Sequence, residues 1–199
     1  MIGVTLELWE KNDLSGVRDS CEKLNIPFLC REGHELFRQQ VVDPFVKAYR
    51  SGLTPSPCCI CNRRVKWILL QQVADELGGE YIATGHYVRI AEREGRFYIR
   101  KGLDPQKDQS YFLWGLPQAL LRRALTPLGE YTKKQVKEWA ARNGYEQMAR
   151  RRESMGICFL KNKDYRDFIK DYPIKDFRQE SGEIIDDKGR VLGVHAGIL

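Results

Sequence analysis

GVTLELWEKNDLSGVRDSCEKLNIPFLC, residues 3–30, sets two strand-like runs on either side of a helical one. A β-rich run from Gly3 to Trp9 gives way to a helical stretch from Ser15 to Asn25 and then to a second strand from Ile26 to Cys30, with Pro27 near its start. Strand, helix and strand in that order argue for parallel pairing through a crossover. The predicted class is therefore α/β, a parallel sheet with helices on both faces.

The same alternation continues outward. Leu36 to Tyr49 reads as a helix with Phe37, Val41 and Phe45 spaced by four, and Pro44 predicts a kink or break near Val42. The glycine and prolines of SGLTPSP (51–57) end it, so the cysteines that follow are expected on a rigid loop. Asn62 is the expected cap of a helix running to about Leu77, with Val65, Leu69 and Val73 toward the sheet. Glu80 to Thr84 reads as a strand, and Tyr87 to Arg100 as a hairpin around Glu94-Gly95 at the sheet margin. Short helices at Ser110 to Leu116 and Pro117 to Ala124 precede a longer one from Thr132 to Asn143, which Gly144 ends; Thr132 is its cap, without an acidic capping-box partner. Asp164 to Tyr172 reads as a helix and Gly182 to Val194 as a second hairpin turning at Asp187-Lys188-Gly189. Two units are expected, residues 1–163 and a small second one beginning in 164–199.

A chain of 199 residues that is 42% hydrophobic can bury one good core, which argues against disorder. Lys and Arg total 33 against 27 Asp and Glu, a net +6. The excess is clustered in Arg63-Arg64-Lys66, Arg122-Arg123, Lys133-Lys134-Lys137 and Arg150-Arg151-Arg152, which suits a polyanion or a merely solvated face. No stretch approaches the roughly 18 to 20 apolar residues of a membrane span, and the N-terminus lacks a signal pattern, so a cytoplasmic or organelle-matrix protein is implied, with a cytoplasmic location the expectation. Of the six cysteines, Cys21 lies on the apolar stripe Val17, Cys21, Leu24 and Cys30 ends a strand; both read as core filler. A disulfide framework is a poor reading for a chain that can build a core unaided.

Four cysteines remain to be explained. Cys58 and Cys61 are spaced as half of a tetrahedral zinc site, which Cys158 with His86 or His195 would have to complete, yet no second close pair closes the cage. Cys158, within Gly156-Ile157-Cys158-Phe159, reads on those residues alone as a buried strand cysteine. Cys61 precedes the expected cap Asn62, which sets its sulfur near the positive end of a helix with Arg63, Arg64 and Lys66 close by; both influences favour thiolate. Such a thiol suits a nucleophile or a resolving partner, provided that Cys158 comes within disulfide reach. Downstream, Lys107 is a phosphate contact candidate, Asp108 and Gln109 can fix a loop or read a base edge, and Tyr111 or Phe112 could stack on a base. The competing reading of Tyr111, Phe112 and Trp114 is core packing.

Five motifs, GVTLELW (3–9), GLTPSPCCICNRRVKW (52–67), YIATGHYVR (81–89), KDQSYFLWGL (107–116) and GICF (156–159), occur in the order in which the tRNA-specific 2-thiouridylases carry theirs. The chain resembles that family essentially end to end. The resemblance implies an adenine nucleotide alpha-hydrolase-like fold and replacement of the C2 oxygen of a wobble uridine by sulfur, with ATP and Mg2+ as cofactors and a persulfide as sulfur source. It implies Cys61 as nucleophile and Cys158 as the residue that receives sulfur, the two ending as a disulfide. It sets Leu6 and Gly85 beside the adenosine, and Ser56, Pro57, Cys58, Lys107, Asp108 and Gln109 against the target nucleotide. His86 is expected as a hydrogen-bonding support rather than a catalytic base. The implied partners are tRNA and a cysteine desulfurase or sulfur-relay protein, with no membrane.

The chain also departs from that pattern. The family's SGGVDS-type phosphate loop is not in the sequence, and relatives continue past Val194-His195-Ala196-Gly197. The expectation is a truncated ATP-pyrophosphatase-like catalytic domain over 1–163, a partial central domain over 164–199, and impaired activity. Ser56 stands where the family has Asn, Cys58 where members have Asp or Cys, and Cys59 where many are apolar. Alternatives are a non-catalytic paralogue that binds tRNA or a sulfur-relay protein, a zinc-stabilised structural domain, and a poorly folding remnant.

Overall fold

The computed structural model describes residues 1–11, 13–150, 156–161, 163–173 and 180–197. Strands β1 (Gly3–Glu7) and β2 (Phe28–Glu32) pair in parallel, with Gly3 opposite Phe28 and Glu7 opposite Glu32. The helix Ser15–Lys23 makes the crossover. Its Cys21 is buried and packs so closely on β1 that a methyl group at Gly3 would run into the sulfur. Strand β3 (Ile82–Ala83) pairs in parallel with β6 (Ala124–Leu125), so among the described residues the parallel strands form two separate pairs. Among the described strands only β6 departs from the sequence expectation: two residues carry no alternation to read, and Ala124 reads as the end of the preceding helix.

Pro44 does not break its helix. Residues 34–50 run through His34–Phe37, a π-helical Arg38–Val42 and Asp43–Arg50. Proline offers no N–H to the carbonyl four residues back, and the wider turn absorbs that loss by sending the Asp43 N–H to Arg38 O. Val41, Val42, Phe45 and Val46 stay buried through the change of pitch.

The helix expected to begin at Asn62 begins earlier. Residues 57–76 form one continuous rod, Pro57–Cys61, a π-helical Asn62–Lys66 and Trp67–Glu76. Pro57 occupies the first turn, where its fixed φ suits a helix and its missing N–H costs nothing. Nothing in the four residues that follow interrupts the helix. Asn62 is therefore interior, 3% exposed, its Nδ2 donating to Cys58 O at 3.0 Å. The cysteines ride on a helix, not a loop.

That rod lies between two cores. Cys61, Val65 and Leu69 join Phe37, Phe45, Phe159, Leu160 and Ile169 in the first, where Phe45 and Phe159 meet edge to face at 5.1 Å between centroids. Trp67 joins Ile82, Val88, Leu113, Leu116 and Leu120 in the second. A helix gripped on two sides has little freedom to tilt, which fixes whatever its first turns carry.

Strands β4 (Val88–Arg93) and β5 (Arg96–Lys101) form the expected hairpin, with Arg93 opposite Arg96. Glu94 and Gly95 both take positive φ, 53° and 72°, as a two-residue turn of matching twist requires. Helices Ser110–Leu113 and Gln118–Arg123 follow, then Lys133–Arg142, whose capping box is completed by Gln135 rather than by an acid. Helix Glu146–Arg150 comes next; Arg151 and Arg152 lie outside the described residues. Helix Tyr165–Asp171, capped by Asp164, buries Ile169 in the first core, with Tyr165, Phe168 and Tyr172 packed against it. Strands β7 (Gly182–Ile185) and β8 (Val191–His195) make the second expected hairpin. Among the described residues no helix is long and apolar enough to cross a membrane.

Candidate active site

The first turns of the 57–76 helix carry three thiols in two settings. Cys61 is 6% exposed, Cys58 and Cys59 are half-buried, and all six cysteines are free thiols. Burial pushes the Cys61 thiol up to about 12, against the positive charge of Lys66 and the Lys66 backbone N–H, which both pull it down. Burial raises Cys58 as well. This corrects the expectation of a thiolate at a helix N-terminus: Cys61 sits inside the helix, where desolvation outweighs the neighbouring charge. Of the three basic neighbours, only Lys66 is a resolved influence on Cys61, and it is the same residue that the π turn sets five positions on.

Cys158 is the opposite case. It is exposed, on a turn in which Leu160 N–H reaches Ile157 O, so the buried-strand expectation fails. Phe159 and Leu160 are the buried residues of GICFL, and they anchor the turn in the core that contains Cys61. A charge on Cys158 raises both Cys58 and Cys61. The three thiols and the Lys66 ammonium thus share one electrostatic neighbourhood.

His86 borders that neighbourhood. Its Nδ1 pairs with Thr84 Oγ1 at 2.9 Å, and its ring stacks on Trp67 at 6.4 Å. Burial, helped by the Lys66 charge, lowers it to about 4, so the imidazole is neutral at physiological pH. A neutral, hydrogen-bonded ring of this kind holds Thr84 and Gly85 in place.

The segment Lys107-Asp108-Gln109 is built into the hairpin root. Gln109 Oε1 accepts from Tyr87 N at 2.9 Å while Gln109 N donates to Tyr87 O at 3.0 Å. Asp108 accepts from Gly102 N and from Ser110 Oγ at 2.8 and 2.7 Å. Partial burial works to raise its carboxyl, but these donors and Lys101 outweigh it and hold the group below the ordinary carboxylate range. Both side chains fix the loop; Lys107 is half-buried beside them.

The loop leads into helix Ser110–Leu113, which lies on the cysteine helix. Ser56 Oγ donates to Cys59 Sγ at 3.2 Å, and Cys59 Sγ donates to Tyr111 O at 3.4 Å. The contact joins the start of the cysteine helix to the short helix that follows the 107–109 loop. Tyr111 and Trp114 are 65% and 66% exposed, so core packing is not their role; Leu113 takes it instead. Leu6, in β1, packs on the core that holds Cys61, and Gly85 is exposed just beyond β3, where Leu128 Cδ1 would be 3.5 Å from an added methyl. The Gly85 backbone is open and Leu6 is the penultimate residue of β1, in a different strand pair from β3. Among the described residues no three His, Cys, Asp or Glu side chains converge as a metal cage, which leaves the zinc reading without a ligand set.

Residues 5–162 match the family described as the tRNA methyl transferase HUP domain. The tRNA-specific 2-thiouridylase MnmA 2 of Phocaeicola vulgatus is 42% identical over 200 residues, covering 98% of this chain and 56% of that protein. The MnmA 3 protein of Bacteroides fragilis, named likewise, is 40% identical over 198 residues, covering 99% and 54%. The tRNA-specific 2-thiouridylase MnmA of Acidithiobacillus ferrooxidans is 39% identical over 205 residues, covering 100% and 58%. The chain spans about half the length of the curated relatives it matches. With an α/β fold of parallel strands and helices, the chain belongs to the tRNA-specific 2-thiouridylase family and carries its HUP domain over residues 5–162.

Proposed function

We propose that the protein carrying this chain transfers sulfur to C2 of the wobble uridine of tRNA, with Cys158 as sulfur acceptor and Cys61 as resolving nucleophile. The observation that carries this reading is the pairing of an exposed thiol, open to a donor protein, with a buried one that feels its charge. ATP supplies the activation of the C2 oxygen, which otherwise has no leaving tendency, and Leu6 and the Gly85 backbone are the residues that would hold its adenosine.

The chain's own residues then do three things. Cys158 accepts a sulfane sulfur from a cysteine desulfurase or relay protein and becomes a persulfide. Cys61, deprotonated beside Lys66, attacks the inner sulfur of that persulfide; the Cys61–Cys158 bond forms, the S–S bond of the persulfide breaks, and the outer sulfur leaves as hydrosulfide, which would add at C2 as the ATP-activated oxygen departs with AMP. A dithiol reductant resets the disulfide. Burial of Cys61 keeps it protonated and unreactive until the site is engaged, while Lys66 supplies the charge that stabilises its thiolate. Ser56, Pro57 and Cys58 at the helix start, with the 107–109 loop leading into the helix that Cys59 contacts at Tyr111 O, form the wall against which a flipped uridine is held, and flipping from an anticodon loop costs little. A reducing cytoplasm suits the free thiols.

The test is sulfur incorporation into an unmodified tRNA transcript with ATP, Mg2+ and a persulfide donor, read as 2-thiouridine by mass spectrometry. ATP-dependent 2-thiouridine is expected. A folded, persulfide-loaded protein that yields none would contradict the proposal.

A further inference from the structure

We propose that the groove beside the cysteine helix is a phosphodiester site for the RNA, with Arg63 and Arg64 as its two phosphate-binding residues; this rests on the reading of tRNA as substrate. The groove, of about 550 Å³, is lined by Gln40, Arg63, Arg64, Ile68, Gly115 and Pro117. Both arginines are exposed on the π-helical turn that directly follows Cys61.

Three observations converge on an anion. First, Arg31, Arg38, Arg89, Arg123 and Arg166 each meet a carboxylate. Among the described residues Arg63 and Arg64 meet none; the one polar contact of either is Arg64 Nη1 to Gln40 Oε1, at 3.5 Å too long to satisfy a guanidinium. Second, the Arg63 stem lies flat on Gly115, where an added methyl would stand 3.1 Å from its Cδ. Glycine at that position lets the side chain run along the groove floor and settles its direction. Third, the aromatic side chains of Tyr111 and Trp114 stand exposed on the segment that ends at Gly115. Paired cationic forks beside exposed rings are the combination that single-stranded RNA takes, phosphates on the arginines and bases on the rings. An acidic protein surface would use the charges but leave the rings without a purpose.

The position also makes chemical sense. A phosphate held one helical turn from Cys61 fixes the register of the strand, and the neighbouring nucleotide is the one presented to the thiols.

The experiment measures binding of an unmodified tRNA transcript by the purified protein as salt is raised. Arg63→Gln with Arg64→Gln is expected to weaken binding roughly tenfold per arginine and to reduce the steepness of the log–log salt dependence by about 1 to 2. Arg63→Lys with Arg64→Lys keeps the charge and is expected to restore most of the steepness. The control is Arg96→Gln with Arg122→Gln, in a separate groove where Arg122 leans on the Phe97 ring; it is expected to leave the steepness unchanged. Unfolding temperature reports that each variant folds, and both target arginines are exposed. An unchanged salt dependence in the glutamine pair would overturn the groove assignment, as it would if the surface served an acidic protein. So would an equal loss in the control pair, which would signify diffuse charge. Neither result touches the thiolation assay, which stands or falls separately.

Discussion

Cys61→Ser and Cys158→Ser are each expected to lower 2-thiouridine formation by at least about a thousandfold, and for different reasons. Without Cys158 no persulfide is loaded, so mass spectrometry of the protein after incubation with donor should show no added sulfur on the 156–161 turn. Without Cys61 the persulfide should load and accumulate, because the residue that releases the outer sulfur is gone. Cys59→Ser separates the roles from mere thiol content: its sulfur bridges Ser56 and Tyr111 O, a hydroxyl can reproduce both contacts, and activity is expected to stay within a few-fold. Because Cys61 is buried in a core, serine there also costs about 1 to 3 kcal/mol of stability, and thermal unfolding must accompany the assay. Persulfide loading that is lost equally in both variants would contradict the division of labour.

The second large effect concerns thiol reactivity in the resting protein. With its pKa pushed up to about 12, Cys61 carries very little thiolate at pH 8, and its alkylation by iodoacetamide should be roughly 10² to 10³ times slower than that of an ordinary exposed thiol. The sign is set by burial, which favours the neutral form: the rate should rise about tenfold per pH unit between pH 8 and 11 while the fold persists. Lys66→Met removes the cation that opposes burial and should slow Cys61 further. Peptide mapping after timed alkylation reads all of this, with Cys158 modified early and Cys61 late. Fast labelling of Cys61 at pH 8 would mean that the resting site already holds a thiolate.

Parts of this arrangement were legible in the sequence because they are local. Glu94-Gly95 demands positive φ at two residues and so declares its hairpin; Pro27 and the Gly3 to Cys30 alternation declare the parallel crossover. The start of the cysteine helix is not legible because the prolines of SGLTPSP argue for a continuing loop, although Pro57 is equally at home in a helix's first turn. That boundary carries the chemistry with it. Placed on a loop, Cys61 looks like an exposed thiolate; placed one turn inside a helix that two cores grip, it is a buried thiol. Cys158 is the reverse case, since the apolar run GICFL resembles a strand but buries only Phe159 and Leu160. Desolvation is a property of packing between residues distant in sequence, and no window around either cysteine contains it. The π turns are equally hidden: Pro44 announces one by its missing N–H, but nothing in NRRVK announces the other, and with it the placement of Lys66 opposite Cys61.

The two chemical halves of the site are thus held apart in character but tied to a single core. Cys158 is exposed and Cys61 is buried, so the proposed transfer requires that RNA engagement bring the two into contact. The measurement that addresses this most directly is a single turnover of persulfide-loaded protein with unmodified tRNA and ATP, quenched with acid and analysed for both 2-thiouridine and protein disulfides. A Cys61–Cys158 disulfide formed in one-to-one proportion with 2-thiouridine is the predicted result. Thiolated tRNA appearing while both sulfurs remain free thiols would contradict it.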